Sequence, residues 1–331
     1  MRRTPTIDTR RRPHRTTAKR LMSELVLHHY DFSNFAEKVR LTLGYKGLAW
    51  RSVIIPPIAP KPDLIPLTGG YRRTPVLQVG ADIYCDTRLI VRELERRAPT
   101  PTLFAPAHAA AADALAYWAE NRLMRPITLY VSGMNVDQLP SGLQADRSLM
   151  RGLPPPDDAT MRRAALRNAP LVRAQLPQIE SMLADGRTWL LGDQPTVADL
   201  AEYHPLWFFT ARTQRLAHEL HPYVRMAQWM QRVQALGHGS PTPLSAKEAL
   251  EMARTAEPAP CAPSSPEPED PALGAVVRVR ADDYGRDAIE GELVHLGTDE
   301  IAVRRTDPVI GAVVVHFPRL GYDLRVLEPR P

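Results

Sequence analysis

Apolar residues in the first hundred positions fall into short β-type runs separated by helical spacings. Residues 25–30 form one run and residues 50–55 a second. Between them Phe35, Val39, Leu41 and Leu43 recur at spacings that predict a helix to about Tyr45, entered through a turn at 31–34. Prolines 56, 57, 60, 62 and 66 then predict a mostly non-helical connection, because each removes a backbone donor. Residues 76–79 and 83–84, hinged by Gly80-Ala81-Asp82, predict a β-hairpin. Leu89, Ile90 and Leu94 give the apolar face of the next helix, with Asp86 or Thr87 as its cap. The order is β-α-β-loop-β-β-α.

From about 101 to 253 the pattern turns helical and alanine-rich. Residues 107–131, 157–184, 196–220 and 222–236 show helical apolar spacing, interrupted by Pro126, Pro170, Pro177 and Pro205. Thr196 and Asp199 have the spacing of a capping box, with Asp in place of the usual Glu or Gln. Residues 133–156, with four prolines, predict a long loop, an ordinary solvent loop first and a lid as the second reading. Residues 254–272, rich in Pro, Ala, Ser and Glu, read as a stiff extended linker that leaves Cys261 exposed. Beyond it five β-type runs at 275–280, 289–296, 300–305, 311–317 and 322–327 predict a small all-β, barrel-like domain over 273–331, of SH3-like or OB-like size.

Charge changes the picture only at the start. Residues 1–21 carry eight Arg or Lys against one Asp, a net +7, so the chain's +5 leaves −2 for everything after them. That segment lacks apolar periodicity and reads as a disordered basic tail. A transit-type leader, a polyanion-binding arm and an upstream start codon ahead of a true start at Met22 all fit, and the sequence Met22-Ser23-Glu24-Leu25 favours the last. Residues 273–331 mix Arg278, Arg280, Arg304 and Arg305 with Asp282, Asp283, Asp299 and Glu300, so no basic stripe stands out there, which argues against a nucleic-acid partner. No uninterrupted apolar run approaches the roughly 18 residues of a membrane helix. Cys85 and Cys261 are the only cysteines, in no metal-ligand spacing, which points to no metal and to a reducing, cytoplasmic compartment.

Thr74-Pro75-Val76 followed by Asp86-Thr87 resembles the glutathione-binding half of the glutathione S-transferase superfamily. The resemblance covers residues 22–250: a thioredoxin-like α/β domain over 22–100, then an all-α bundle over 101–253. It implies glutathione as co-substrate, with Thr74 pairing through its backbone to the cysteinyl moiety, Pro75 in a cis bond, and Asp86 and Thr87 holding the γ-glutamyl end. Arg72 and Arg73 are candidates for the glycine carboxylate, with a solvated face as the other reading. The run Ser33-Asn34-Phe35-Ala36 stands where thioredoxin-like proteins carry a redox Cys pair and lacks both cysteines. Ser33 takes the position at which related transferases place Cys or Ser, so it is the candidate catalytic residue, its hydroxyl donating to the thiolate at a helix N-terminus. A capping role without chemistry is the other reading of Ser33.

The same resemblance implies a pocket for a small hydrophobic electrophile along the first bundle helix, with Tyr117 and Asn121 as candidates, and a homodimer. Tyr117 and Trp118 are adjacent, so both cannot face one narrow cleft. A glutathione-dependent isomerase or dehalogenase of the same fold, and a non-catalytic binding or scaffold protein, are the alternatives. The resemblance leaves the tail and the C-terminal β-domain without an assigned role.

Overall fold

The computed structural model of the chain describes residues 24–211 and 213–327; the expectations about residues 1–21 and the start at Met22 lie outside them. The first unit follows the predicted order: β1 (Val26–His29), α1 (Asn34–Tyr45), β2 (Ala49–Ile54), α2 (Ile65–Thr68), β3 (Val76–Val79), β4 (Asp82–Cys85) and α3 (Thr87–Arg97). β1 pairs parallel with β2 and antiparallel with β3, which forms the hairpin with β4. The proline-rich connection is not wholly irregular: α2 is one turn, and Pro66 is tolerated because it sits in the first helical positions, where its missing N–H is not needed.

The helical layer comprises α4 (Ala109–Trp118), a π-turn (Ala119–Leu123), α5 (Met124–Met134), α6 (Leu143–Leu149), α7 (Asp158–Met182), α8 (Val197–Trp207) and α9 (Val224–Gln234). The capping box is present: Asp199 Oδ2 accepts from the Thr196 N–H at 2.8 Å, and its Oδ1 accepts from Leu190 N and Trp229 Nε1, both at 2.9 Å. Two expectations need correction. The helical run predicted over 107–131 is interrupted at the π-turn and not at Pro126, which lies inside α5. The predicted lid at 133–156 contains a 3₁₀ turn and α6, and it is fastened down. Arg72 pairs with Asp146 at 2.6 Å, while Arg147 donates to the Tyr30 hydroxyl at 3.0 Å and the Pro57 carbonyl at 2.8 Å.

After the bundle the chain returns to the sheet. β5 (Ser240–Pro243) adds parallel to β2, where Pro241 and Pro243 are acceptable because an edge strand can do without donors on its outer side. α10 (Ala246–Thr255) then buries Ala249 and Ala253, so the helix runs past the expected domain end at 253. The predicted linker has no regular structure but is docked. Ala259 N donates to Asp82 Oδ2 at 2.9 Å, Ser265 N donates to the Leu296 carbonyl at 3.0 Å, and Cys261 is half-buried rather than exposed.

The last five strands are β6 (Val276–Ala281), β7 (Ile289–Leu296), β8 (Glu300–Asp307), β9 (Gly311–Pro318) and β10 (Tyr322–Val326). They run in the order β10-β6-β7-β8-β9, with β10 returning to pair with β6 as in a rolled, barrel-like layer. They do not stand apart. β9 pairs parallel with β4, Ile83 opposite Val315 and Tyr84 opposite His316, to give one ten-stranded sheet. Val26, Ile83, Val303, Val315 and Phe317 share a single core across that junction. Among the described residues no helix is long and apolar enough to cross a membrane.

His316 lies buried at the junction, stacked on Tyr84 at 4.4 Å. Its Nε2 donates to Asp82 Oδ1 at 3.2 Å and its Nδ1 to Glu300 Oε1 at 2.5 Å. Burial works against the imidazolium, but the hydrogen bonds and charges of Asp82 and Glu300 outweigh it and raise its pKa from 6.5 to about 9. The folded pKa is the higher one, so the stabilisation is fully present below pH 6.5 and is lost as pH rises through about 9. Its ceiling is on the order of 3 kcal/mol. His316→Gln is therefore expected to lower the midpoint of urea unfolding most at pH 6, with the gap to the parent closing toward pH 9; parallel stability curves would show that the charge contributes nothing.

Candidate functional site

The hairpin β3–β4 delivers Thr74 and Pro75 at one end and Asp86 and Thr87 at the other to the rim of one cleft. The Thr74–Pro75 bond is cis. Asp86 is the single non-glycine residue with positive φ among the described residues, at 73°, a conformation that costs energy and concentrates at functional positions. It caps α3 by accepting from Arg88 N at 2.9 Å. Its second oxygen accepts from the Tyr322 hydroxyl at 3.2 Å. Because Tyr322 gives its one proton to Asp86, Tyr71 must donate in the Tyr71–Tyr322 hydroxyl pair, 3.1 Å apart. Burial raises the Asp86 pKa, while the Arg88 N–H bond pulls it back.

The opposite wall comes from the π-turn. Glu120 takes Lys38 Nζ at 2.7 Å and the Thr87 hydroxyl at 3.3 Å, and His204 Nε2 stands 3.5 Å away. Burial opposes the Glu120 charge, but Lys38 and His204 overcome it and hold the pKa at about 2. A π-turn inside an α-helix is rare and is frequently found at functional sites. Tyr117 and Asn121 flank Glu120 at the exposed rim, where Asn121 Nδ2 donates to the Tyr117 carbonyl at 2.8 Å. Trp118 turns instead to the bundle core.

The cleft thus brings together Arg73, Thr74, Pro75, Asp86, Thr87, Tyr117 and Asn121. Ser33 is not in its lining. It is 2% exposed, and its Oγ caps α1 by accepting from Ala36 N at 3.2 Å; Phe35, two residues on, lines the cleft in its stead. Sequence reasoning missed Lys38 and Glu120, although Glu120 adjoins Asn121 on the helix singled out for the pocket. It also missed Asp283, Tyr284 and Tyr322, which carry no local signal and arrive only because β9 joins β4. Arg73 donates to the Asp283 carboxylate and the Tyr284 carbonyl, with its guanidinium 4.2 Å from the Tyr284 ring centre.

Lys38→Met would strand the Glu120 carboxylate in a buried site, and removing one partner of such a pair typically costs about 3–5 kcal/mol. The variant should lose stability in urea by that order, and adding Glu120→Gln should restore a large part of it. Two independent, additive losses would refute the coupling.

The family model described as glutathione S-transferase, N-terminal domain, matches residues 27–102, and that of the C-terminal domain matches residues 163–232. A GST-like protein from Pseudomonas syringae is 39% identical, with 92% of this chain and 99% of that chain covered and a TM-score of 0.75. A glutathione S-transferase from Methylobacterium radiotolerans, solved in complex with glutathione sulfonate, is 21% identical over 64% of this chain and 91% of its own, with a TM-score of 0.50. A glutathione transferase from Populus trichocarpa is 17% identical over 70% of this chain and 100% of its own, with a TM-score of 0.51. At those identities the last two share the fold alone. No curated protein matches the chain.

Proposed function

The chain belongs to the glutathione S-transferase superfamily, and on that footing we propose that its cleft binds glutathione and presents the thiol to a small hydrophobic electrophile. The observation that carries the reading is the convergence of Thr74, Asp86 and Thr87 on one cleft at the start of α3. A helix N-terminus offers free N–H groups to the γ-glutamyl carboxylate, and Asp86 offers a carboxylate to the neighbouring ammonium. Thr74 offers its backbone to the cysteinyl moiety. The sulfur then lies toward the N-terminus of α1, where the helix dipole favours the thiolate.

Ser33 is the group we assign to that thiolate. In capping α1 its Oγ acts as acceptor, so the bond to Ala36 N does not use the hydroxyl proton. With that donor and the dipole lowering the thiol pKa, the thiol proton leaves to solvent. A sulfur–carbon bond forms as the leaving group departs with its electron pair. Phe35 and Tyr117 supply apolar surface for the electrophile. The reading carries with it a homodimer working in the cytoplasm. Binding without turnover is the second reading, and one observation favours it: Ser33 is buried outside the cleft lining.

Calorimetric titration of glutathione into the full chain tests the first step. Asp86→Asn should weaken binding by about tenfold or more, the value of a hydrogen bond between charged groups. Ser33→Ala should keep the affinity, raise the pKa of the bound thiol and slow conjugation of a chloroaromatic probe. A folded parent that takes up no glutathione defeats the reading, and unchanged turnover in Ser33→Ala removes Ser33 from the chemistry.

A further inference from the structure

Asp86 and Glu120 put two carboxylates around Thr87 in the cleft lining. Glu120 lies four residues past Ala116, at the edge of the buried stripe of Ala112, Ala116, Ala119 and Leu123, so its side chain is largely covered, at 15% exposed. Its partners inside the protein all meet one oxygen. Lys38 Nζ at 2.7 Å, the Thr87 hydroxyl at 3.3 Å and His204 Nε2 at 3.5 Å stand on Oε1. No hydrogen bond among the described residues engages Oε2, which is also not sealed from solvent, so it opens on the cleft.

The groups beside Oε2 are acceptors too. Thr87 gives its one hydroxyl proton to Glu120, so toward a ligand it can only accept. Asp86 accepts from Arg88 N and from the Tyr322 hydroxyl, and no salt bridge among the described residues engages it. Burial raises the Asp86 pKa, the Arg88 N–H pulls it back, and the Glu120 charge raises it again, as one carboxylate does to another close by. The neighbouring cations are turned elsewhere. Lys38 is 1% exposed beneath Glu120, Arg88 is paired with Asp113, and Arg73 with Asp283. Lys61, which has no salt bridge among the described residues, donates to Thr74 Oγ1 at 2.8 Å and to the Arg72 carbonyl at 3.0 Å. Three side-chain acceptors therefore meet here, and an ammonium, with three N–H donors and no acceptor, is their complement. A ligand carboxylate is left to the N–H groups at the start of α3.

We propose that Glu120 sets the ligand specificity of this end of the cleft: with Asp86 and Thr87 it reads the free α-ammonium of a γ-glutamyl head group, so ligands acylated or deaminated at that nitrogen are rejected. The inference rests on the glutathione-binding reading, in which Asp86 alone meets the ammonium, and deepens it. Lys38 serves by holding Oε1, which leaves Oε2 for the ligand.

Titration of glutathione and of glutaryl-cysteinyl-glycine, the same tripeptide with hydrogen in place of the ammonium, into the full chain tests this. The parent should prefer glutathione by about a hundredfold, a factor of about ten from each carboxylate. Glu120→Gln should cut that preference by about tenfold through weaker glutathione binding, with the affinity for the analogue little changed. Lys38→Met combined with Glu120→Gln, which leaves no buried charge unpaired, should do the same and serves if the single variant unfolds. A preference that survives intact in these variants overturns the proposal and leaves Glu120 as a partner of Lys38 and Thr87 only. An equal loss for both ligands also overturns it, by showing that Glu120 acts through the shape of the helix start. A parent that binds both ligands alike overturns it while the glutathione reading stands. Binding of neither ligand to any of the three proteins refutes the glutathione reading, and this inference falls with it.

Discussion

The pairing of β9 along β4 is the constraint on which the rest of the molecule depends. β4 would otherwise be the exposed edge of a small sheet, a row of unpaired N–H and C=O groups open to any passing strand. β9 covers it in parallel, with Val314 N donating to the Ala81 carbonyl at 3.0 Å. Apolar burial makes the junction strong, since Ile83, Val315 and Phe317 are all sealed in one core. His316 makes it specific: a one-residue slip of β9 would turn the imidazole to the other face and strand Asp82 and Glu300.

That junction also builds the cleft. Asp86 follows β4 directly, and Tyr322 opens β10 just after β9, so register at Tyr84 and His316 fixes the distance between the Tyr322 hydroxyl and the Asp86 carboxylate. From the other side the π-turn brings Glu120 to Thr87. The Asp86–Thr87 pair is therefore gripped between strands appended at the end of the chain and the helical bundle. Its positive φ is held by both. The Pseudomonas relative is covered almost to its full length by 92% of this chain, an extent that must include most of the appended strands, whereas the transferases with 64–70% coverage align with much less of it.

What the sequence made legible was local. Alternating apolar residues, the Gly80 hinge and the Asp86 cap each act within a few positions, so the thioredoxin-like order could be read directly, as could the Thr196–Asp199 capping box. Candidate residues fixed by a strand end or a helix start, Thr74, Asp86 and Thr87, fall together for the same reason. Ser33 shows the limit of that reasoning: its position at the start of α1 was plain, but whether the hydroxyl faces the cleft or the helix backbone is set by tertiary packing that leaves no local pattern in the sequence. Residues 133–156 were misread because their order comes from docking on another segment, Asp146 on Arg72, and proline content alone suggests loop. Asp283 and Tyr322 had no local signature, since only the distant pairing of β9 with β4 gives them a place.

The cleft and the fold share their charged groups. Lys38 with Glu120 ties α1 to the π-turn, Arg72 with Asp146 ties the proline segment to α6, Arg88 with Asp113 ties α3 to α4, and Arg73 with Asp283 ties the hairpin to the appended strands. The last three pairs are partly exposed and contribute little net stability, because each charge would be well hydrated if released, whereas Lys38 is buried against Glu120. Their larger effect is on what enters. A ligand charge must either replace a partner, with loss of the existing pair, or find a group that the pairs leave over. The appended strands therefore take part in the cleft at two points, through Asp283 on Arg73 and through Tyr322 on Asp86.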